Sequence, residues 1–289
     1  GEKRVCYSMT EKAAGADATG MRTTAVKDGN SNYIMNGEKW FSSAASAADL
    51  AVVMARTDPD APRHRQFSTF IVELPNPGYI IKRDIKTMAI EGPLSQVMGG
   101  GHSEIEIKDL VVPAENLLGG EGNGFNMGQH RLAYGRLRHG MHNVAMAQRA
   151  LDLATAHVTQ RETFGKRLSD RQGVQFMLAE CASELYMARL MLLHIAYKAE
   201  KGMDLRQENS IAKVFLAHMV HKVVDTAIQL HGALGYSQDT PLASWYTHIR
   251  SQRLVDGPDE VHRWTVGRNV IKAYQAHGTT ASAAGGDLI

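Results

Sequence analysis

At 289 residues the chain is long enough for two domains of ordinary size, each with its own core. A hydrophobic fraction of 44% and a charged fraction of 21% exclude intrinsic disorder, and no apolar run approaches membrane-spanning length. The net charge of +2, from 32 basic and 30 acidic residues interspersed, gives no electrostatic case for a nucleic-acid or membrane partner, and Cys6 and Cys181 alone fit a reducing compartment without a disulfide framework.

Over residues 1–118 the apolar residues fall in short runs broken by turn signals, as in a mostly antiparallel β domain. Strands are predicted at 5–10, 22–26, 33–35, 38–42, 50–55, 68–74, 79–83 and 104–108. Asp28-Gly29 and Asn36-Gly37 read as hairpin turns, since both pairs readily adopt positive φ. Gly119-Gly120-Glu121-Gly122-Asn123-Gly124 has the look of a dinucleotide loop, but no parallel βαβ unit surrounds it, so it reads as a flexible joint.

From Gly124 the period changes to that of helices, in a segment predicted to span 124–278. Leu137, Met141, Val144, Ala147, Leu151, Ala154 and Val158 form one apolar stripe, and Val174, Met177, Cys181, Leu185, Ala188, Leu192 and Ile195 form a second. A third helix runs from about Glu208 to Leu230 and stops at Gly232; a fourth opens at Pro258, with Asp259 and Glu260 in its first turn. Long helices with short connections make an up-down four-helix bundle. The small, polar residues of 279–289 read as a flexible tail. His139/His142 and His218/His221 stand at metal-ligand spacing but lack acidic or cysteine partners, so no metal is expected; Met177, Met187 and Met191 read as core.

Arg161-Glu162-Thr163-Phe164-Gly165-Lys166 follows the first long helix. Its arginine and hydroxyl suit a phosphate, and Phe164 offers a flat apolar face; a solvated turn with one aromatic is the plainer alternative.

Four ordered motifs carry a resemblance. Tyr7-Ser8-Met9-Thr10-Glu11 with Gly15-Ala16-Asp17, and Asn36-Gly37-Glu38-Lys39-Trp40-Phe41-Ser42, resemble the flavin-binding β domain of the acyl-CoA dehydrogenases. The 161–165 segment with Gln172, Gln229-Leu230-His231-Gly232, and Val255-Asp256-Gly257-Pro258 continue the likeness through the C-terminal bundle. The resemblance implies an α+β fold: an antiparallel β-barrel-like domain followed by the bundle. The family's N-terminal helical domain is expected to precede residue 1, and the start at Gly1, without an initiator Met, reads as a fragment or processed form. The 256–262 run resembles the branch that in some members is fused to a phosphotransferase-like domain.

By that resemblance the chain binds FAD and removes hydrogen across the α,β bond of an acyl-CoA, passing electrons to an electron-transferring flavoprotein. Tyr7, Met9, Thr10 and Phe41 would meet the flavin, Trp40 would cover its far face, and Ser42 would place a hydroxyl near N5. Arg161, Thr163 and Phe164 would reach the FAD of a neighbouring subunit, with Gln172, Gln229, Gly232, Ala233 and Glu260 completing the site, so a homodimer or homotetramer is implied. Asp256 stands where the family's usual base is a glutamate, and the second base position is Gly135. A helix cap is the plainer reading of Asp256. Ala16 replaces a substrate-contacting serine, Pro258 a flavin-contacting threonine, and Arg136 and Arg268 match arginines on the thioester and CoA paths. A flavin oxidase like nitroalkane oxidase, a non-catalytic partner subunit, and a DNA-binding flavoprotein are the alternatives. A cytoplasmic or mitochondrial-matrix location is expected.

Overall fold

A computed structural model describes residues 2–29, 31–89 and 101–285. Contacts divide the chain into two compact units, one of residues 1–87 and 91–131 and one of 88–90 and 132–289.

The first unit is built on eight strands: β1 (Val5–Ser8), β2 (Thr24–Lys27), β3 (Asn32–Ser43), β4 (Leu50–Arg56), β5 (Phe67–Glu73), β6 (Tyr79–Ile85), β7 (His102–Pro113) and β8 (Leu117–Leu118). They form one sheet in the order β6-β7-β3-β2-β4-β5-β8, with β1 also on β4. Among the described residues the path is open, not closed into a barrel, and the sheet is mixed: β1 runs parallel to β4, Val5 beside Leu50 through Ser8 beside Val53. The chain between them includes β2 and β3, long enough for the crossover that a parallel pair needs. Alternation puts Tyr33, Met35, Ala51, Val53, Phe70, Val72, Ile105 and Ile107 on the buried side.

Asp28-Gly29 does turn β2 back onto β3. Asn36-Gly37 does not turn the chain, and the two predicted strands flanking it are the single strand β3. The Asn36 side chain bonds across to Asp109, accepting from its backbone N–H at 2.8 Å, and the register shifts there as a bulge. The Gly119–Gly124 joint is packed: Gly122 N–H donates to Ser68 Oγ at 2.9 Å, and a Cβ on Gly124 would meet Ser68 backbone at 2.7 Å.

The second unit takes most of α1 (Gly124–Gln160), a small hairpin of β9 (Glu162–Thr163) and β10 (Lys166–Arg167), then α2 (Gln172–Glu200), α3 (Arg206–His231), α4 (Ala233–Tyr236), α5 (Leu242–Ile249) and α6 (Asp259–His277). Its core joins Ala147, Ala154 and Val158 of α1, Leu185, Ala188 and Ile195 of α2, and Leu216, Met219, Val220, Val223 and Val224 of α3. Each large aliphatic buried there contributes about 1.5–3 kcal/mol. The buried face of α1 follows Gly140, Asn143, Ala147, Ala150, Ala154 and Val158, so Met141 lies outside it and is exposed. Met187 of α2 is exposed too, while Met177 and Met191 pack against the core. Within the predicted tail, Ala281–Ala283 forms a 3-10 turn that buries Ala283 and accepts a hydrogen bond from Gln207 at 2.7 Å; 286–289 lie outside the described residues. No described helix is long and apolar enough to cross a membrane.

Candidate active site

Asp256 sits in the short connection between a 3-10 turn (Arg250–Arg253) and α6. Its φ of 52° is left-handed, costly for any residue but glycine, asparagine or aspartate, and the neighbours hold it there. Arg136 Nε donates to the Asp256 carbonyl at 3.0 Å, and His262 Nε2 donates to the same oxygen at 3.1 Å. Gly257 follows at φ 98°, where a Cβ would stand 2.8 Å from His262 Nε2, so the turn requires glycine. The side chain of Asp256 is 15% exposed, with Oδ2 3.5 Å from His139 Nε2. Gly135 lies directly against it: a Cβ there would be 3.2 Å from Oδ2. The two candidate base positions, 121 residues apart in sequence, thus converge on one point, which a carboxylate from 256 occupies and 135 leaves bare.

Charge around this turn is organised by Asp259, the first residue of α6. Its buried carboxylate accepts from Lys213 Nζ at 3.1 Å, His218 Nε2 at 2.9 Å and Arg253 Nε at 2.9 Å. Burial alone would raise its pKa, but these three donors together leave it lowered. Lys213 is itself pushed down by burial, against the pull of Asp259. Burial likewise lowers Arg136, opposed by the charge of Asp256. Burial and then the Arg136 charge push His262 down to about 4, so it is neutral at pH 7 and carries its proton on Nε2, toward the carbonyl. Arg253 and Asp259 flank Asp256, and their bond closes the turn like a clasp. Lys213, Arg253 and His262 escaped the sequence reading because pattern alone does not bring α3 and the turn before α6 together.

At the other end of α1, the β9–β10 hairpin turns through Phe164 (φ 51°) and Gly165 (φ 72°), both left-handed as in a type I′ turn. The geometry throws the Phe164 ring outward, 98% exposed. Arg171 bonds the Thr163 carbonyl and lies 6.0 Å from the Phe164 ring, bracing the tip. Arg161 and Gln172 are exposed at the base of this projection. His157, one turn before Arg161, stacks on His231 with centroids 4.3 Å apart, tying the end of α1 to the end of α3. There Gln229, Gly232 and Ala233 stand exposed around the α3–α4 break, Gly232 at φ 63° with open space at its Cα. The histidine stack thus brings the end of α1, which leads to Arg161, beside the end of α3, which leads to Gly232. Glu260 is exposed on the first turn of α6, and Arg268 covers the Trp264 ring at 4.4 Å.

In the first unit, Trp40 N–H donates to the Thr10 carbonyl at 2.7 Å, which lays 9–10 alongside β3. Beneath them Lys39, with no exposed side-chain surface, donates to the Met9 carbonyl at 3.0 Å and Glu11 Oε1 at 2.9 Å. Glu11 in turn accepts from Arg22 and Thr23 N–H. A second bulge between Lys39 and Ser42 puts Phe41 at φ 56° and changes which side chains face out. Ser42 is 1% exposed, and its hydroxyl bonds Ser8 Oγ at 2.9 Å. The exposed groups are the Phe41 ring and Ser43, whose hydroxyl pairs with His102 Nδ1 at 2.8 Å. Trp40 is half-buried with Lys12 and Arg83 over its ring at 4.6 and 5.7 Å, so cations already cover it. Tyr7 lies under Arg131, 5.0 Å away, and burial pushes its hydroxyl up to about 12. Ala16 is exposed beyond the Gly15 turn.

Comparison with known proteins agrees with both units. The acyl-CoA dehydrogenase middle domain matches residues 6–99 and the acyl-CoA dehydrogenase C-terminal domain residues 122–271. The chain is 40% identical to acyl-CoA dehydrogenase family member 11 of Gallus gallus, over 91% of this chain and 34% of that protein. A crystal structure of acyl-CoA dehydrogenase from Geobacillus kaustophilus superposes with TM-score 0.85 at 35% identity, covering 91% of this chain and 68% of that one. The butyryl-CoA dehydrogenase of Megasphaera elsdenii superposes with TM-score 0.86 at 30% identity, covering 93% and 68%. The chain spans between 25% and 65% of the lengths of the curated relatives it matches first.

Proposed function

The chain belongs to the acyl-CoA dehydrogenase family, and on that premise we propose that it serves the FAD-dependent α,β-desaturation of an acyl-CoA thioester, with Asp256 as the base. The observation that carries this reading is the pairing of Asp256 with Gly135. Its carboxylate is largely withdrawn from water, and Oδ2 faces the side of α1 where glycine leaves approach open. Proton removal from the carbon next to a thioester needs a positioned carboxylate, and the bonds from Arg136 and His262 to the Asp256 carbonyl prevent the turn from swinging. Arg136, buried beside the carboxylate, sets a positive charge against the turn, and the proton would be accepted at Oδ2.

Residues with free polar or aromatic surface fit a flavin dinucleotide. Arg161 and Thr163 suit the phosphates, Phe164 a ring, and Gln172, Gln229, Gly232, Ala233 and Glu260 the adenosine end. In the first unit Tyr7, Met9 and Thr10 would hold the ring system's edge, with Trp40, Phe41 and Ser42 of β3 against the ring, and the Phe41 ring is the member of that trio that stands exposed. When bound, the flavin supplies the acceptor for the β-hydride. The full exposure of Phe164 in one chain suits a site completed by a second subunit, hence a homodimer or homotetramer, with an electron-transferring flavoprotein as acceptor.

Anaerobic titration of the flavin-loaded protein with a panel of acyl-CoA thioesters tests the proposal. Bleaching of the flavin by at least one member is expected, with slow recovery in air; rapid recovery would mark an oxidase. Asp256→Asn should keep flavin and slow bleaching by about 10²–10⁴-fold. Bleaching at the parental rate in that variant rejects Asp256 as base.

A further inference from the structure

The Asp256 turn closes over a small cavity lined by Arg136, His139, Asn143, Lys213, Gln252 and Asp256. Its free space of about 10 Å³ is the room one water needs. Asn143 reaches it from α1, one turn beyond His139, and is 4% exposed in the middle of the helix's buried face. Its Oδ1 is fully buried and has no hydrogen-bond partner among the described residues. An orphaned amide oxygen costs roughly 1–3 kcal/mol, so an asparagine on a face otherwise made of Gly140, Ala147 and Ala150 needs a compensating partner.

We propose that Asn143 holds one water against Asp256 and so acts as a positioning residue for the base. The water would donate one O–H to Asn143 Oδ1 and the other to the Asp256 carboxylate, and accept from the Lys213 ammonium or the Gln252 amide. Three bonds are the usual complement of a buried water. Turned over, the Asn143 amide would present its NH2 to the same cavity, and a water serves it equally. The bridge restrains the carboxylate's orientation by donating to its charged state.

The inference concerns the same carboxylate as the proposed function but is tested without turnover. With ¹³C-carboxyl-labelled aspartate, NMR follows the Asp256 titration in the flavin-loaded protein, and Asp256→Asn identifies its resonance. Asn143→Leu removes the oxygen and fills the cavity, and should raise the Asp256 midpoint by about one to two pH units, the effect of one hydrogen bond to a charged group. Asn143→Ser keeps an acceptor and room for the water, and should titrate near the parent. An unchanged midpoint in Asn143→Leu overturns the proposal, as does an equal shift in both variants. Should Asn143→Leu not fold, a crystal structure of the parent decides: one ordered water within hydrogen-bond distance of Asn143 and Asp256 supports the bridge, and a dry cavity rejects it. Parental bleaching in Asp256→Asn would reject Asp256 as base while leaving the water and the titration as they are.

Discussion

Acidification from pH 7 to pH 4 should weaken the second unit through His262. This imidazole is 3% exposed and held neutral, its pKa pushed from 6.5 to about 4 by burial and by the Arg136 charge beside it; Lys213 adds to the repulsion and Asp259 opposes it. In the unfolded chain the same ring takes up a proton near pH 6.5. Between these values the unfolded state therefore binds more protons than the native state, and stability falls as pH falls. The contribution is fully present above about pH 6.5 and lost progressively toward pH 4. A displacement of about 2.5 corresponds to about 3 kcal/mol, a large share of a typical domain's stability. Urea unfolding at a series of pH values measures it, with His262→Gln as the comparison, because glutamine keeps an N–H for the Asp256 carbonyl but does not titrate. Half-buried His157, His221 and His248, also held low, bend both curves the same way, so the difference between the proteins isolates His262. Parent and variant should diverge in pH dependence by about 3 kcal/mol across this window. Parallel curves would refute the assignment of a neutral, buried His262.

Lys39→Met strands Glu11 as a buried charge and should cost about 3–5 kcal/mol, read by denaturant unfolding; a loss under about 1 kcal/mol would show that the pair is not buried as the structure has it. Gly257→Ala forces a Cβ into left-handed backbone 2.8 Å from His262 Nε2, and should destabilise by about 1–3 kcal/mol in the same assay. Arg161→Ala removes an exposed phosphate fork, and flavin retention on gel filtration should fall by about 10- to 100-fold; undiminished retention would remove Arg161 from the cofactor site.

Much of the architecture was legible in the chain itself, because period is a local property. The stripe Cys181, Leu185, Ala188, Leu192 and Ile195 announces α2, and Gly202, Gly232 and Pro258 punctuate helices where the backbone requires them. The ordered motifs pointed to the family, and Asp256 was marked as its carboxylate. Sequence could not say that Asn36-Gly37 stays inside a strand, since a bulge and a turn use the same residues and only pairing with Asp109 selects the bulge. Nor could it tell which face of β3 Ser42 would take: a single extra residue between Lys39 and Ser42 breaks the alternation on which facing is judged. Asn143 carries no signal in the sequence, and only the rotation of α1 brings it to the Asp256 cavity. The proximity of Gly135 to Asp256, and the clasp of Lys213, His218 and Arg253 on Asp259, belong to the tertiary structure alone. They join segments far apart in the chain, and no local propensity encodes a contact whose partners meet only when α1, α3 and the turn before α6 pack together.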